Sequence, residues 1–125
     1  MKYEISVGTG FIEVKTSGTA DVAGFNAMIG AIVEYPQWAP NGSLLIDHSD
    51  LDLSNFSTAD NYKIVSIVER FRSRLGKTRC AFVMPDDLHF GLMRMWESIA
   101  LEHWDGITMT FRSRDAALSW LQDKS

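Results

Sequence analysis

Ser43-Leu44-Leu45-Ile46-Asp47 and Cys80-Ala81-Phe82-Val83-Met84 are the two stretches whose reading decides the fold. Each is apolar at consecutive positions rather than at every second one. That pattern marks a strand covered on both faces, the kind found in parallel sheets flanked by helices. Between them, from Ser57 to Gly76, Ile64, Ile67 or Val68, Phe71 and Leu75 recur at helical spacing. Strand, helix and strand in that order make a crossover unit, which pairs its two strands in parallel.

Working outward, the spacing predicts strands over Tyr3–Val7 and Phe11–Thr16, joined through Gly8-Thr9-Gly10. Asp21 is placed to cap a helix whose apolar face is Val22, Phe25, Ile29 and Ile32. That helix should stop near Tyr35, because Pro36 disfavours helical geometry in the residue before it. Pro40-Asn41-Gly42 is turn chemistry, and the polar stretch from His48 to Phe56 reads as a loop. Ser57 opens the next helix with Asp60 three residues on, a short-armed capping box, and Gly76 closes it.

After Pro85, Asp86 or Asp87 caps a third helix over about Leu88 to His103, with Leu88, Leu92, Met95 and Ile99 as its expected buried stripe. Ile107–Phe111 alternates as a last strand. Ser113 or Asp115 begins a terminal helix carrying Ala117, Leu118 and Leu121. The order β-β-α-β-α-β-α-β-α is an α/β fold: a five-stranded, mainly parallel mixed sheet with an N-terminal antiparallel hairpin and about four helices. At 125 residues, without repeat or linker, the chain reads as one domain over 1–125.

The net charge of −4 argues against a nucleic-acid partner, which needs a basic face to neutralise phosphates. Arg70, Arg72, Arg74, Lys77 and Arg79 cluster, but at a helix C-terminus, where cations offset the helix dipole. Cys80 is the only cysteine, which excludes an internal disulfide and suits a reducing compartment. Met1 to Gly8 has no apolar signal core, and no later stretch approaches the roughly 18 apolar residues of a membrane span. The expectation is a soluble cytoplasmic protein with no membrane insertion.

Polar residues gather where parallel strands end. Asp47, His48, Ser49 and Asp50 follow the first buried strand and Asp86, Asp87 and His89 the second, a candidate ligand-binding rim. A histidine beside carboxylates can serve as a general base, yet these residues equally cap loops and helix starts, with His48 in solvent. No spacing defines a catalytic or metal site, and Cys80 lies inside a buried strand, where a thiol is inert. No cofactor is implied.

The third helix carries a second apolar face: Phe90, Met93, Leu101 and Trp104, with Met95 and Trp96 between. A helix apolar around much of its girth is deeply buried, or meets another subunit, or walls an apolar cleft. Gly91 near its start points to a close backbone approach.

Arg79-Cys80-Ala81-Phe82-Val83, the run Pro85-Asp86-Asp87-Leu88-His89-Phe90-Gly91-Leu92-Met93-Arg94-Met95, and Phe111 with Asp115-Ala116-Ala117-Leu118-Ser119-Trp120-Leu121 resemble the SpoIIAA-like family of small bacterial proteins. The element order is similar to the STAS fold, shared by anti-sigma factor antagonists and the cytoplasmic domains of anion transporters. This resemblance implies a non-catalytic regulatory or protein-interaction module with a protein partner, and the over-apolar third helix is the expected self-association face. Phosphorylated antagonists carry an Asp-Ser-Ser-Gly run at the helix after the central strand; here Asn55-Phe56-Ser57-Thr58-Ala59-Asp60 stands there. Ser57 and Thr58 are the corresponding candidate phosphosite of a switched regulator. The alternative reading is a carrier of a small apolar or lipid-like ligand, with an expected pocket of about 300–1,000 Å³.

Overall fold

The computed structural model describes residues 1–123. Strands β1 (Lys2–Gly8) and β2 (Phe11–Thr19) form the antiparallel hairpin, and its tight turn needs Gly10 at φ +82°. Helix α1 (Val22–Glu34) starts at Asp21, whose carboxylate accepts from Gly24 N–H. It leads to β3 (Ser43–Asp52), then α2 (Thr58–Arg70) and the one-turn α3 (Arg72–Leu75). β4 (Arg79–Val83), α4 (Asp87–Ala100), β5 (Ile107–Phe111) and α5 (Arg114–Gln122) follow.

The sheet runs β1-β2-β3-β4-β5, with β2 to β5 mutually parallel. Each new strand is added on the same side, and parallel crossovers are right-handed almost without exception, so the crossover helices α1, α2 and α4 share one face. Their Phe25, Ile29, Ile64, Val68, Met93 and Trp96 pack on Val14, Ile46, Cys80 and Phe82. Helix α5 alone covers the opposite face, setting Ala117 against Leu45, Ala81 and Val83.

Four expectations are corrected. β3 does not end at Asp47 but continues through His48 to Asp52, so most of the expected polar loop is strand. The helix from Ser57 breaks at Phe71, so five helices are present among the described residues. Gly76 still closes that segment at φ +67°, where a Cβ would lie 2.5 Å from Asn41 Oδ1. The buried stripe of α4 is Met93, Trp96 and Ala100, while Leu88 is 71% exposed. Gly91 serves no close approach, since a Cβ there would meet nothing within 4 Å.

Candidate functional site

The extension of β3 carries an irregularity that decides the site. Lys15 pairs with Asp47 and Ser17 with Asp50, so His48 and Ser49 together oppose Thr16. One extra residue in a strand is a β-bulge, and it reverses the in–out parity of everything after it. Strict alternation from Leu44, Ile46 and His48 would turn Leu51 toward α5. With the bulge, Leu51 joins the core beneath the three helices instead.

His48 lies on that same side and is 1% exposed, not in solvent. Its ring stacks on Phe82 at 5.7 Å and meets Phe25 edge-on at 5.8 Å. Burial pushes its pKa down to about 4, opposed by the nearby Asp47 carboxylate, so the imidazole is neutral at physiological pH. Nδ1 lies 2.7 Å from Thr16 Oγ1, which is also 3.1 Å from the Asp47 carbonyl oxygen. Thr16 has one hydroxyl proton and a carbonyl can only accept. Both contacts are satisfied together when Thr16 donates to the carbonyl and His48 donates from Nδ1. Nε2 is then the ring's lone-pair acceptor.

His48 borders a partly open cavity of about 70 Å³ between the sheet and α1, α2 and α4. Met28, Asn61, Phe82, Met93, Trp96 and Trp104 also line it. Nearly all of the wall is apolar. The polar residues there are His48 and the buried Asn61, together with the Trp96 indole, whose Nε1 is buried without a hydrogen-bond partner. The space is several times the ~10–15 Å³ that one water requires, and far below the pocket expected for a drug-sized ligand.

The other rim residues do not converge on this point. Asp47, adjacent to His48, faces the α5 side, where Ser49 N–H and O–H donate to its Oδ1. Ser49 and Asp50 are exposed, and Asp50 lies 3.6 Å from Lys15 Nζ. Asp86 caps α4 by accepting from His89 N–H, and Asp87 pairs with Arg112. His89 is half-buried with Nδ1 3.7 Å from Asp86 and Nε2 buried without a partner. Among the described residues, no three His, Cys, Asp or Glu side chains are placed to hold a metal ion. Burial raises the Cys80 thiol far above its ordinary range.

The apolar candidates divide by depth. Met93, Trp96 and Trp104 are buried and line the cavity. Phe90 and Met95 are half-buried, with the Arg112 guanidinium 4.4 Å above the Phe90 ring, and Leu101 is 74% exposed. At the start of α2, Ser57 forms the full capping box: Asp60 N–H donates to Ser57 Oγ and Ser57 N–H donates to Asp60 Oδ2. The Ser57 N–H first, and then the Ser57 hydroxyl, hold the Asp60 carboxyl below the usual range. Ser57 and Thr58 are exposed.

Sequence reasoning missed Thr16, Phe25 and Asn61 as parts of the site. Asn61 left a signal, as a polar residue in register with the apolar Ile64, Val65 and Val68. Thr16 left one too, continuing the inward series Ile12 and Val14.

No family model and no curated protein matches the chain. Solved structures do. An uncharacterised DUF3478-family protein with a SpoIIAA-like fold from Shewanella loihica is 17% identical, covers 96% of this chain and 92% of its own, and aligns with a TM-score of 0.61. An anti-sigma factor antagonist from Mycobacterium paratuberculosis is 16% identical, covers 98% of this chain and 94% of its own, with a TM-score of 0.60. The chain therefore has the SpoIIAA-like fold. No helix among the described residues is long and apolar enough to cross a membrane.

Proposed function

We propose that this chain, as one cytoplasmic domain, is a non-catalytic regulatory module that acts by docking to a protein partner. The observation that carries this reading is the fold, shared over nearly the full length of both chains with an anti-sigma factor antagonist. Ser57 or Thr58 is the candidate point of control: both stand exposed at the start of the helix that follows β3. A phosphate there would set about two negative charges beside Asp60, favoured by the helix dipole but repelling an acidic partner surface. The test is photo-crosslinking in cells from Tyr62, an exposed side chain one turn along α2. A discrete partner that is lost from Ser57→Asp supports the switch; a partner retained by that variant supports docking alone. No crosslink above background removes the reading.

Self-association belongs to this reading as a finer proposal, through the exposed Leu88 and Leu101 rather than the buried Met93. Sedimentation velocity at micromolar concentration should show a dimer that Leu101→Asp dissociates, and a monomeric parent protein removes the idea.

A second reading, favoured by the cavity behind His48, is reversible binding of a small apolar ligand. A cavity of about 70 Å³ holds a few heavy atoms as it stands, and a single ring only as Met28 and Met93 yield. Shifts of interior methyl resonances on adding toluene would support it; an unchanged spectrum at toluene saturation would not.

A further inference from the structure

The two edges of the sheet, among the described residues, differ in kind. β1 carries Lys2 and Glu4 exposed along its length, and such charges discourage a further strand. β5, Ile107-Thr108-Met109-Thr110-Phe111, carries none and is β-branched or apolar throughout. Its register sets Ile107, Met109 and Phe111 on the α5 side of the sheet, with Ala81 and Val83, and Thr108 and Thr110 on the α4 side. Helix α5 packs over β3 and β4, so Ile107 and Met109 stay 58% and 38% exposed.

The backbone of β5 is half committed. Ile107 N–H donates to the Thr78 carbonyl and Met84 N–H to the Phe111 carbonyl, each at 2.8 Å. Residues of a parallel strand turn both backbone groups to one neighbour, then both to the other. Ile107, Met109 and Phe111 thus direct theirs to β4, and Thr108 and Thr110 present theirs along the open edge. There the Glu97 carboxylate of α4 meets the Thr110 N–H as well as its hydroxyl, the latter at 2.8 Å.

Resting on the self-association reading, we propose that the contact is β5 itself, paired antiparallel with β5 of a second copy about a two-fold axis at Met109. Thr108 then faces the partner's Thr110, and both such pairs exchange their backbone hydrogen bonds. Met109 faces the partner's Met109 at the closer, unbonded position, and Ile107 faces the partner's Phe111, which covers the exposed apolar row. Sliding one copy by two residues would set Thr108 or Thr110 against a residue outside β5. Charge points to a second copy as the occupant. Asp105, paired with Arg72, precedes β5, and Arg112, paired with Asp87, follows it. Antiparallel copies bring each Asp105 toward the partner's Arg112, opposite in sign. The two-fold closes the assembly and leaves only the charged β1 edges free.

Sedimentation velocity of the full chain should show a dimer that Met109→Lys dissociates, because two ammonium groups would meet at the axis. Thr108→Pro should dissociate it too, since it removes an N–H that faces outward, where an edge strand tolerates proline. Should either variant fail to fold, Met109→Cys decides with a nearly isosteric side chain. Under diamide it should form a disulfide between copies, while Ile107→Cys, with its two copies roughly 14 Å apart along the strands, should not. Cys80 is buried and stays silent. A dimer that withstands both β5 variants but yields to Leu101→Asp overturns the inference and leaves self-association intact. Equal crosslinking at 107 and 109 overturns the register and with it the inference. A monomeric parent protein overturns the inference and the self-association reading together.

Discussion

On one face of the sheet, three helices press Phe25, Ile64 and Trp96 onto Val14, Ile46 and Phe82. On the other, one short helix sets Ala117 over Leu45, Ala81 and Val83. The deep face is filled by large side chains, and it holds both a buried neutral histidine and a cavity. The shallow face has alanines, Ala81 and Ala117, at its centre, with Phe11, Phe111 and Trp120 packed around them half-buried. It is fastened at its margins by Arg79, 4.3 Å above the Trp120 ring, and by Arg114 paired with Glu13. The comparison teaches that a sheet can keep a small void within its more heavily packed side while its other side is only sealed. Large interlocking side chains leave voids that small ones do not.

The strongest attempt to break that contrast is Phe82→Ala, which removes the ring on which His48 and Trp96 both rest. It should cost about 3–5 kcal/mol in urea denaturation. A loss below ~1 kcal/mol would mean that the deep face is already loose.

Acid titration sharpens the same comparison. His48 has its folded pKa lowered to about 4 from an ordinary 6.5, so on acidification the unfolded chain takes up this proton first. Its contribution is complete above about pH 6.5 and drains as the pH falls toward about 4, with a slope approaching ~1.4 kcal/mol per pH unit. Denaturation of His48→Gln across that window should lack this slope; an equal slope in both proteins would place the titrating group elsewhere.

On the shallow face, Ala117→Leu should cost about 1–3 kcal/mol by overpacking, with a change in fluorescence as Trp120 shifts. A neutral result would show that α5 rides loosely on the sheet. The smallest effect expected is at Ser57→Ala, about 1 kcal/mol from the lost cap, read as a modest drop in Tm. It should be indifferent to cavity ligands, since Ser57 stands outside the cavity lining.

Much of this architecture was legible locally. Leu44-Leu45-Ile46 and Cys80–Val83 announced doubly covered strands, and Asp21, Ser57 and Ser113 each cap the helix expected of them. Reading failed where two preferences competed. Asp47-His48-Ser49-Asp50 is polar enough to be a loop, yet its backbone pairs with β2 across a bulge. In α4, Leu88-Leu92-Met95-Ile99 and Met93-Trp96-Ala100 are both helical stripes. Only the position of the sheet and α2 selects the second.

By itself, then, the sequence determined the element order, the caps and the parallel core. These follow from preferences settled within a few residues: apolar period, capping oxygens, and proline and glycine geometry. The tertiary structure alone decided that His48 turns beneath the three helices while Asp47 turns toward α5, which stripe of α4 is buried, and that a small cavity lies beside His48. Strand register, helix rotation and void volume are properties of surfaces meeting across the chain, and no local window contains both surfaces.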